Sequence, residues 1–230
     1  MIDSVPPTSA EQLISEFRRG EMVLLVLDQS DGGQTGVVAM AAECCEASHV
    51  TFMARQARGL VSLALTEARC EQLNLPSMVD PATSGAVKLS IEASTEIDTG
   101  ISAADRARTV RVAVAPDANP SDLVQPGHIF PVATLSGGVL IRTGAAEAGV
   151  DLATLAGLTP AAVFAEVLDT HGELADASAL VAFADAHDLR VGRVTDLVDY
   201  RLNHYRTVDL IRSGQITTRH GEFMLSVYQE

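Results

Sequence analysis

The sequence predicts an α+β protein, a layered α/β domain in which helices pack on a sheet. Short apolar runs that indicate strands alternate with longer segments whose apolar residues recur at helical spacing. The chain has 230 residues, 47% of them hydrophobic, which is enough to bury a large core. No internal repeat and no convincing interdomain linker interrupts the pattern, so one main domain is favoured.

In the first half of the chain, capping residues predict helices and apolar runs predict strands. Thr8 or Ser9 can cap a helix that ends near Arg19, where Gly20 stops it. Thr66 can cap a later helix in the same way. The other predicted elements are helices at residues 47–58 (closed by Gly59) and 66–73, and strands at residues 22–27, 35–42, 60–65 and 87–91.

The second half continues the alternation after one interruption. Ser102 begins a helical segment in which Ala104, Ala107 and Val110 or Arg111 are spaced to share a face. Residues 116–136 are rich in proline and predict an irregular stretch, which at this length is usually functional or mobile. The elements predicted after it are helices at residues 144–156, 177–187 and 195–206, and strands at residues 161–168 and 189–194.

The charge of the chain restricts its partners. A net charge of −14 argues against a nucleic acid or an anionic membrane surface, because both need clustered cations. The N-terminus is polar and acidic, unlike a signal peptide, and no apolar run approaches the length of a membrane span. Three cysteines without a metal-binding spacing indicate reduced thiols. A cytoplasmic protein with a small-molecule substrate is expected.

General catalytic motifs are absent from the sequence. It contains no P-loop, no GxGxxG after a strand, no HExxH and no GxSxG. The loop in LDQSDGGQTGVV (residues 27–38) follows an apolar strand, a common place for a ligand site, but it offers only Asp28 and Asp31 as charged groups. Longer sequence blocks are more informative.

Four blocks resemble the 3,4-dihydroxy-2-butanone 4-phosphate synthase family of riboflavin biosynthesis. They are TGISAADRARTVR (residues 99–111), PSDLVQPGHIFPV (120–132), GGVLIRTGAAEAGVDLATLAG (137–157) and AEVLDTHGELA (165–175). The resemblance implies a layered α/β sandwich with a mixed sheet over residues 1–206, and a homodimer with sites near the subunit interface. The tail, residues 207–230, resembles the first strand of a GTP cyclohydrolase II domain.

The resemblance also shows a departure from the family's metal site. In the family, a glutamate of an acidic loop, DRENEGD, and a histidine of an RxGHT motif hold a divalent metal. Here the glutamate position is Gly33 and the histidine position is Ala145. Neither side chain can ligate Mg²⁺, so neither a metal nor another cofactor is predicted. The neighbouring replacements are Gly32 for arginine, Val37 for aspartate and Ala146 for threonine.

Other positions of the family site are kept. The resemblance implies that His128 and Glu166 are catalytic, with Glu166 in proton transfer, and that Arg142 contacts the substrate phosphate. The block that begins at residue 99 implies further substrate-binding residues, which are Thr99, Ser102, Asp105 and Arg106.

Three functions are compatible with this pattern. The favoured one is a metal-independent acid/base enzyme of lyase, isomerase or dehydratase type, acting on a small oxygenated substrate such as a sugar phosphate. The second is a non-catalytic binding or regulatory homologue. The third is the family's own reaction, which converts ribulose 5-phosphate to dihydroxybutanone phosphate and formate. It would use a displaced metal held by Asp28, Asp31 and Glu43.

Overall fold

The elements of the fold were located in a computed structural model that describes residues 8–30, 32–78, 86–205 and 209–229. The α-helices are α1 (Ala10–Arg19), α2 (Ala47–Phe52), α3 (Glu67–Gln72), α4 (Ala103–Val114), α5 (Ala145–Leu155), α6 (Ala177–His187) and α7 (Val194–His204). The strands are β1 (Val23–Asp28), β2 (Gln34–Ala41), β3 (Ser62–Thr66), β4 (Ile91–Ala93), β5 (Leu123–Thr134), β6 (Ala161–Glu166), β7 (Arg190–Arg193), β8 (Asp209–Thr218) and β9 (Gly221–Gln229).

A seven-stranded mixed sheet forms the centre of the structure. Its strand order is β4-β5-β3-β6-β2-β1-β7. The β3/β5 and β1/β7 pairs are parallel, and the other neighbours are antiparallel. The mixed sheet and its helices confirm the predicted α+β class.

Helices cover both faces of this sheet because its central strands are apolar on both sides. In β1, Leu24 and Val26 pack into one core with α2, α4 and α6. The alternate residues, Val23 and Leu25, pack into a second core with α1, α5 and α7. This period of two follows from strand geometry, and it produces a three-layer sandwich.

Capping residues at both ends determine the limits of helix α1, which packs at the edge of the second core. Ser9 Oγ accepts the Gln12 N–H and the Gln12 side chain accepts the Ser9 N–H, which completes a capping box. Gly20 ends the helix with a left-handed φ of 76°. The buried face of the helix includes Leu13 and Phe17. The predicted helix near residues 8–19 is therefore confirmed.

Residues 116–136 differ most from their predicted structure. They were predicted to be irregular, but most of them form β5, which lies inside the sheet between β3 and β4. Pro126 lies in a bulge of β5. The adjacent β4 residues Ile91 and Glu92 pair with Ile129 and Val124, so the β5 residues between Val124 and Ile129 are left out of the regular pairing. Proline is tolerated there because a bulge makes no regular ladder hydrogen bond.

Three smaller predictions also differ from the structure. The predicted strand at residues 87–91 forms only isolated bridges at Val87 and Lys88 before β4 begins. The predicted helix at residues 47–58 changes after Phe52 into a π-helical turn, Met53–Ala57. In α4, Ala104 is exposed instead of sharing the buried face of Ala107.

The cysteines carry free thiols, as expected for reduced side chains. Burial raises the pKa of the Cys45 and Cys70 thiols to about 12, so both remain protonated at neutral pH.

Among the helices in the described ranges, none combines the length and apolar character that crossing a bilayer requires.

The tail forms two strands, although the sequence resemblance indicated one. Strands β8 and β9 pair as an antiparallel hairpin with its own two-stranded sheet. Ile216 pairs with Phe223 and Gly214 with Leu225 on one side of the hairpin. Phe223 and Leu225 are about half exposed. The assignment of residues 207–230 to a separate unit stays a prediction.

Candidate active site

A cavity of about 510 Å³ lies between the sheet and the first turn of α5. A row of residues across three strands forms its floor, because Phe130 of β5 and Phe164 of β6 both pair with Ser62 of β3. Phe164 belongs to the same core as α5, so the side chains of this row face that helix. Most of the wall is apolar, and its charged members are Arg142, Glu147 and Glu166.

Arg142 and Glu147 form an ion pair at the α5 end of the cavity. The arginine Nε donates to Glu147 Oε1 at 2.8 Å, and one Nη donates to the same oxygen and to the Ala133 carbonyl. Glu147 is only 1% exposed, and its Oε2 has no hydrogen-bond partner within the described residues. A Cβ on Gly144 would lie 2.5 Å from that oxygen, so glycine keeps the space open.

Glu166 ends β6 at the rim of the cavity. Its carbonyl oxygen accepts the Gly59 N–H at 3.0 Å. A Cβ on Gly59 would lie 2.3 Å from this oxygen, so the close contact requires glycine. The left-handed residue after the π-helical turn is Arg58, with a φ of 69°. Gly59, predicted to close the helix, therefore holds the strand that carries Glu166.

His128 lies on β5, on the same face as the cavity floor. It precedes Phe130 by two residues, just as Glu166 follows Phe164 by two residues on β6. Both phenylalanines pair with one residue of β3, so the register places His128 and Glu166 two strand spacings apart, about 10 Å. His128 itself is not among the described residues that line the cavity. The His128 Nδ1 is bonded to Glu92, a residue that the sequence analysis did not single out.

The block that begins at residue 99 lies outside this cavity in the single chain. Ser102 Oγ accepts the Asp105 N–H at 3.0 Å, and Asp105 accepts the Gly100 N–H at 3.1 Å. These contacts form the N-terminal cap of α4. Thr99 is exposed, and partial burial lowers the pKa of the Arg106 guanidinium. The structure therefore does not bring these four predicted substrate ligands together with Arg142 and Glu166.

The loop between β1 and β2 is closed by its own polar groups. Gln34 donates to Asp28 Oδ1 at 2.9 Å, and the Gln29 side chain donates to Thr35 Oγ1 at 2.9 Å. The Gln29 N–H also donates to the Gly33 carbonyl at 2.8 Å. These contacts are those of a hairpin turn, and they engage the carboxylate of Asp28.

The third alternative, a displaced metal held by Asp28, Asp31 and Glu43, does not fit the positions of Asp28 and Glu43. Asp28 pairs with Gln34, the first residue of β2, whereas Glu43 lies two residues after its last, Ala41, and β2 spans roughly 23 Å. Ligands of one metal ion must lie within about 2.5 Å of it. Glu43 instead accepts the Thr159 N–H at 2.7 Å, and Asp31 falls outside the described residues. In the ranges that are described, no three His, Cys, Asp or Glu side chains are grouped to hold a metal ion.

A second cavity, of about 380 Å³, lies on the other side of α5, at the carboxyl ends of β3 and β5. Its charged groups include Asp151 and Arg201, which are joined at 2.7 Å. Asp151 also accepts the Val139 N–H at 3.0 Å. Burial raises the pKa of Asp151, while Arg201 opposes the shift. This pair links α5 to α7, and none of the predicted site residues lines this cavity.

Comparison with solved structures supports the assignment of the fold. A two-domain 3,4-dihydroxy-2-butanone 4-phosphate synthase from A. baumannii superposes with a TM-score of 0.88 and 43% identity, over 97% of this chain and 66% of that chain. Another synthase, solved in complex with two magnesium ions, has a TM-score of 0.79 and 33% identity, over 86% of this chain and 98% of that chain.

Comparison with curated sequences gives the family. A synthase of the same name from Pseudomonas syringae is 48% identical over 96% of this chain, and one from Pectobacterium atrosepticum is 43% identical over 86%. The alignments span 60% and 92% of those two proteins. The family described as 3,4-dihydroxy-2-butanone 4-phosphate synthase matches residues 11–200. The chain therefore belongs to the 3,4-dihydroxy-2-butanone 4-phosphate synthase family.

Proposed function

We propose that the chain carries out the reaction for which its relatives are named, the conversion of ribulose 5-phosphate to 3,4-dihydroxy-2-butanone 4-phosphate and formate. The observation that carries the proposal is the cavity in which Arg142 and Glu166 meet the N-terminus of α5, in a chain 48% identical to a named synthase. That alignment covers 96% of this chain. The sequence alone favoured a repurposed enzyme, and the relatives support the family's reaction better.

The geometry suggests how the substrate would be bound. The first turn of α5 directs backbone N–H groups and a positive partial charge toward the cavity, and Arg142 adds a guanidinium beside it. This combination suits a phosphate group. Glu166 at the opposite rim can accept a proton from a carbon next to a carbonyl, and the apolar walls limit access of water to the carbanion-like intermediate.

The side chains of the cavity do not suit a divalent metal ion. Its carboxylates are Glu147, whose charge is balanced by Arg142, and Glu166. Mg²⁺ prefers several oxygen ligands in an octahedral array, and the side chains of Gly33 and Ala145 supply none. A relative was solved in complex with two magnesium ions. In this chain the proposed proton transfers use its own side chains.

The replacements Gly33 and Ala145 favour a second candidate function. With Gly33 and Ala145 in place of ligands, the site could carry out simpler acid/base chemistry, such as an isomerisation or dehydration, on another sugar phosphate. The homodimer implied by the family is also part of the proposal. The block from Thr99 to Arg106 lies outside the cavity of one chain, and a second copy could bring it near.

Growth of a riboflavin-requiring bacterium that lacks its own synthase tests the proposed reaction. We expect the chain to restore growth without added riboflavin, and the Glu166→Gln variant to fail at equal protein level. The variant Glu173→Gln, which changes an exposed carboxylate, is the matched control. Absence of growth with soluble, folded wild-type protein would favour the second candidate. The chain spans about 60% of its first curated relatives, so the assay uses the chain alone.

A further inference from the structure

The carboxylate of Glu92 faces His128 across the β4–β5 pair. Glu92 Oε1 is bonded to the Nδ1 atom of His128. The glutamate side chain is 15% exposed, whereas the imidazole is 41% exposed. The imidazole therefore has one nitrogen bound to a mostly buried carboxylate, and Nε2 is left for a substrate.

Close backbone contacts build this pair. Gly100, with a φ of 76°, lies over the glutamate, and a Cβ there would be 1.5 Å from Glu92 Oε1. Gly127 lies against β4, where a Cβ would be 2.2 Å from backbone atoms of Ile91. The Gly127 N–H also donates to Ser90 Oγ at 3.1 Å. Both glycines allow β4, β5 and the loop before α4 to enclose the carboxylate.

The hydrogen bond determines which imidazole nitrogen carries the proton. An ionised carboxylate only accepts hydrogen bonds, so the Nδ1 bonded to it must carry hydrogen. In the neutral imidazole the other nitrogen, Nε2, then has a free lone pair. A histidine held this way is prepared to accept a proton at Nε2, and after accepting it can donate it back.

We propose that Glu92 is a positioning residue that fixes His128 in the Nδ1–H form and so makes Nε2 a second proton acceptor at the site, in addition to Glu166. The role in turnover rests on the proposed function, whereas the tautomer of His128 does not. The block from Thr99 to Asp105 acquires a role in this arrangement, because it closes over Glu92 through Gly100.

Two-bond ¹H–¹⁵N NMR spectra of the imidazoles test the tautomer without any substrate. The His128 signals are assigned by their loss in His128→Ala. At a pH where His128 is neutral, we expect the Nδ1–H pattern in the wild type and a shift toward Nε2–H in Glu92→Gln. Glu96→Gln is the matched control, since Glu96 is an exposed carboxylate near the same strand, paired with Arg108 at 2.7 Å. An Nε2–H pattern in the wild type, or the same spectrum in Glu92→Gln, would overturn the proposal.

Kinetics separate this inference from the proposed function. Glu92→Gln should lower kcat for ribulose 5-phosphate by about 100-fold, because a misplaced imidazole loses rate. KM should change little, because the proposed phosphate contacts are intact. Glu96→Gln should match the wild type. An unchanged kcat in folded Glu92→Gln would contradict the positioning role. If the wild type shows the Nδ1–H form but turns over no ribulose 5-phosphate, the proposed reaction fails and the tautomer assignment stands.

Discussion

Replacement of Glu166 by Gln is expected to lower kcat for ribulose 5-phosphate by about 10²- to 10⁴-fold, the usual contribution of a general base. The amide keeps the shape of the side chain at the cavity rim but cannot accept a proton from carbon. Binding should be kept, because the proposed phosphate site at Arg142 and α5 is not altered. The measurement is steady-state formate release, with calorimetric binding of ribulose 5-phosphate beside it.

Retained binding together with lowered kcat would distinguish the loss of a general base from misfolding. A variant that merely misfolds would lose both, and circular dichroism with thermal unfolding identifies that case. Glu173→Gln removes a carboxylate from the exposed turn after β6 and should leave both quantities unchanged. Full activity in Glu166→Gln would remove Glu166 from the proposed chemistry.

Arg142→Ala is expected to have the second large effect, on both stability and binding. It leaves the carboxylate of Glu147, 1% exposed, without its cation. An orphaned buried charge costs about 3 to 5 kcal/mol of unfolding free energy. Loss of a charge-assisted contact should also weaken the binding of ribulose 5-phosphate by about 10- to 100-fold. Chemical unfolding and calorimetry measure the two effects separately.

A double variant distinguishes the two roles of Arg142. Arg142→Met combined with Glu147→Leu removes both charges, so much of the lost stability should return. Binding of the phosphate should stay weak, because the guanidinium is still missing. Recovery of wild-type binding in the double variant would show that Arg142 supports the fold and does not contact the substrate.

Segments with strong local signals were predictable from the sequence. Helix α6 has the predicted bounds, residues 177–187, and Asp176 caps it by accepting the Ala179 N–H. Strands β1 and β2 lie within one residue of their predicted limits. In these segments the cap, the hydrophobic pattern and the tertiary packing favour the same structure. The candidate site residues Arg142 and Glu166 were found through the family resemblance.

Features that depend on sheet pairing were not predictable. Prolines normally interrupt a strand in the interior of a sheet. In β5, however, Pro131 pairs with Leu63 inside the sheet, and Pro126 lies in the bulge. Glu92 carries no sequence signal, because only the register of β4 and β5 brings it to His128. Ser102 and Asp105 were interpreted as substrate ligands, and their cap contacts follow from the path of the loop before α4.

The most direct test of the proposed function follows uniformly ¹³C-labelled ribulose 5-phosphate by NMR with the purified chain, with Mg²⁺ and with a chelator. We predict formate and a four-carbon ketone phosphate in equal amounts. The chelator should not abolish the reaction, because the described cavity offers few ligands for a divalent ion. A substrate spectrum that stays unchanged, with folded protein and measurable binding, would contradict the proposed reaction. Turnover that requires Mg²⁺ would contradict the metal-independent part.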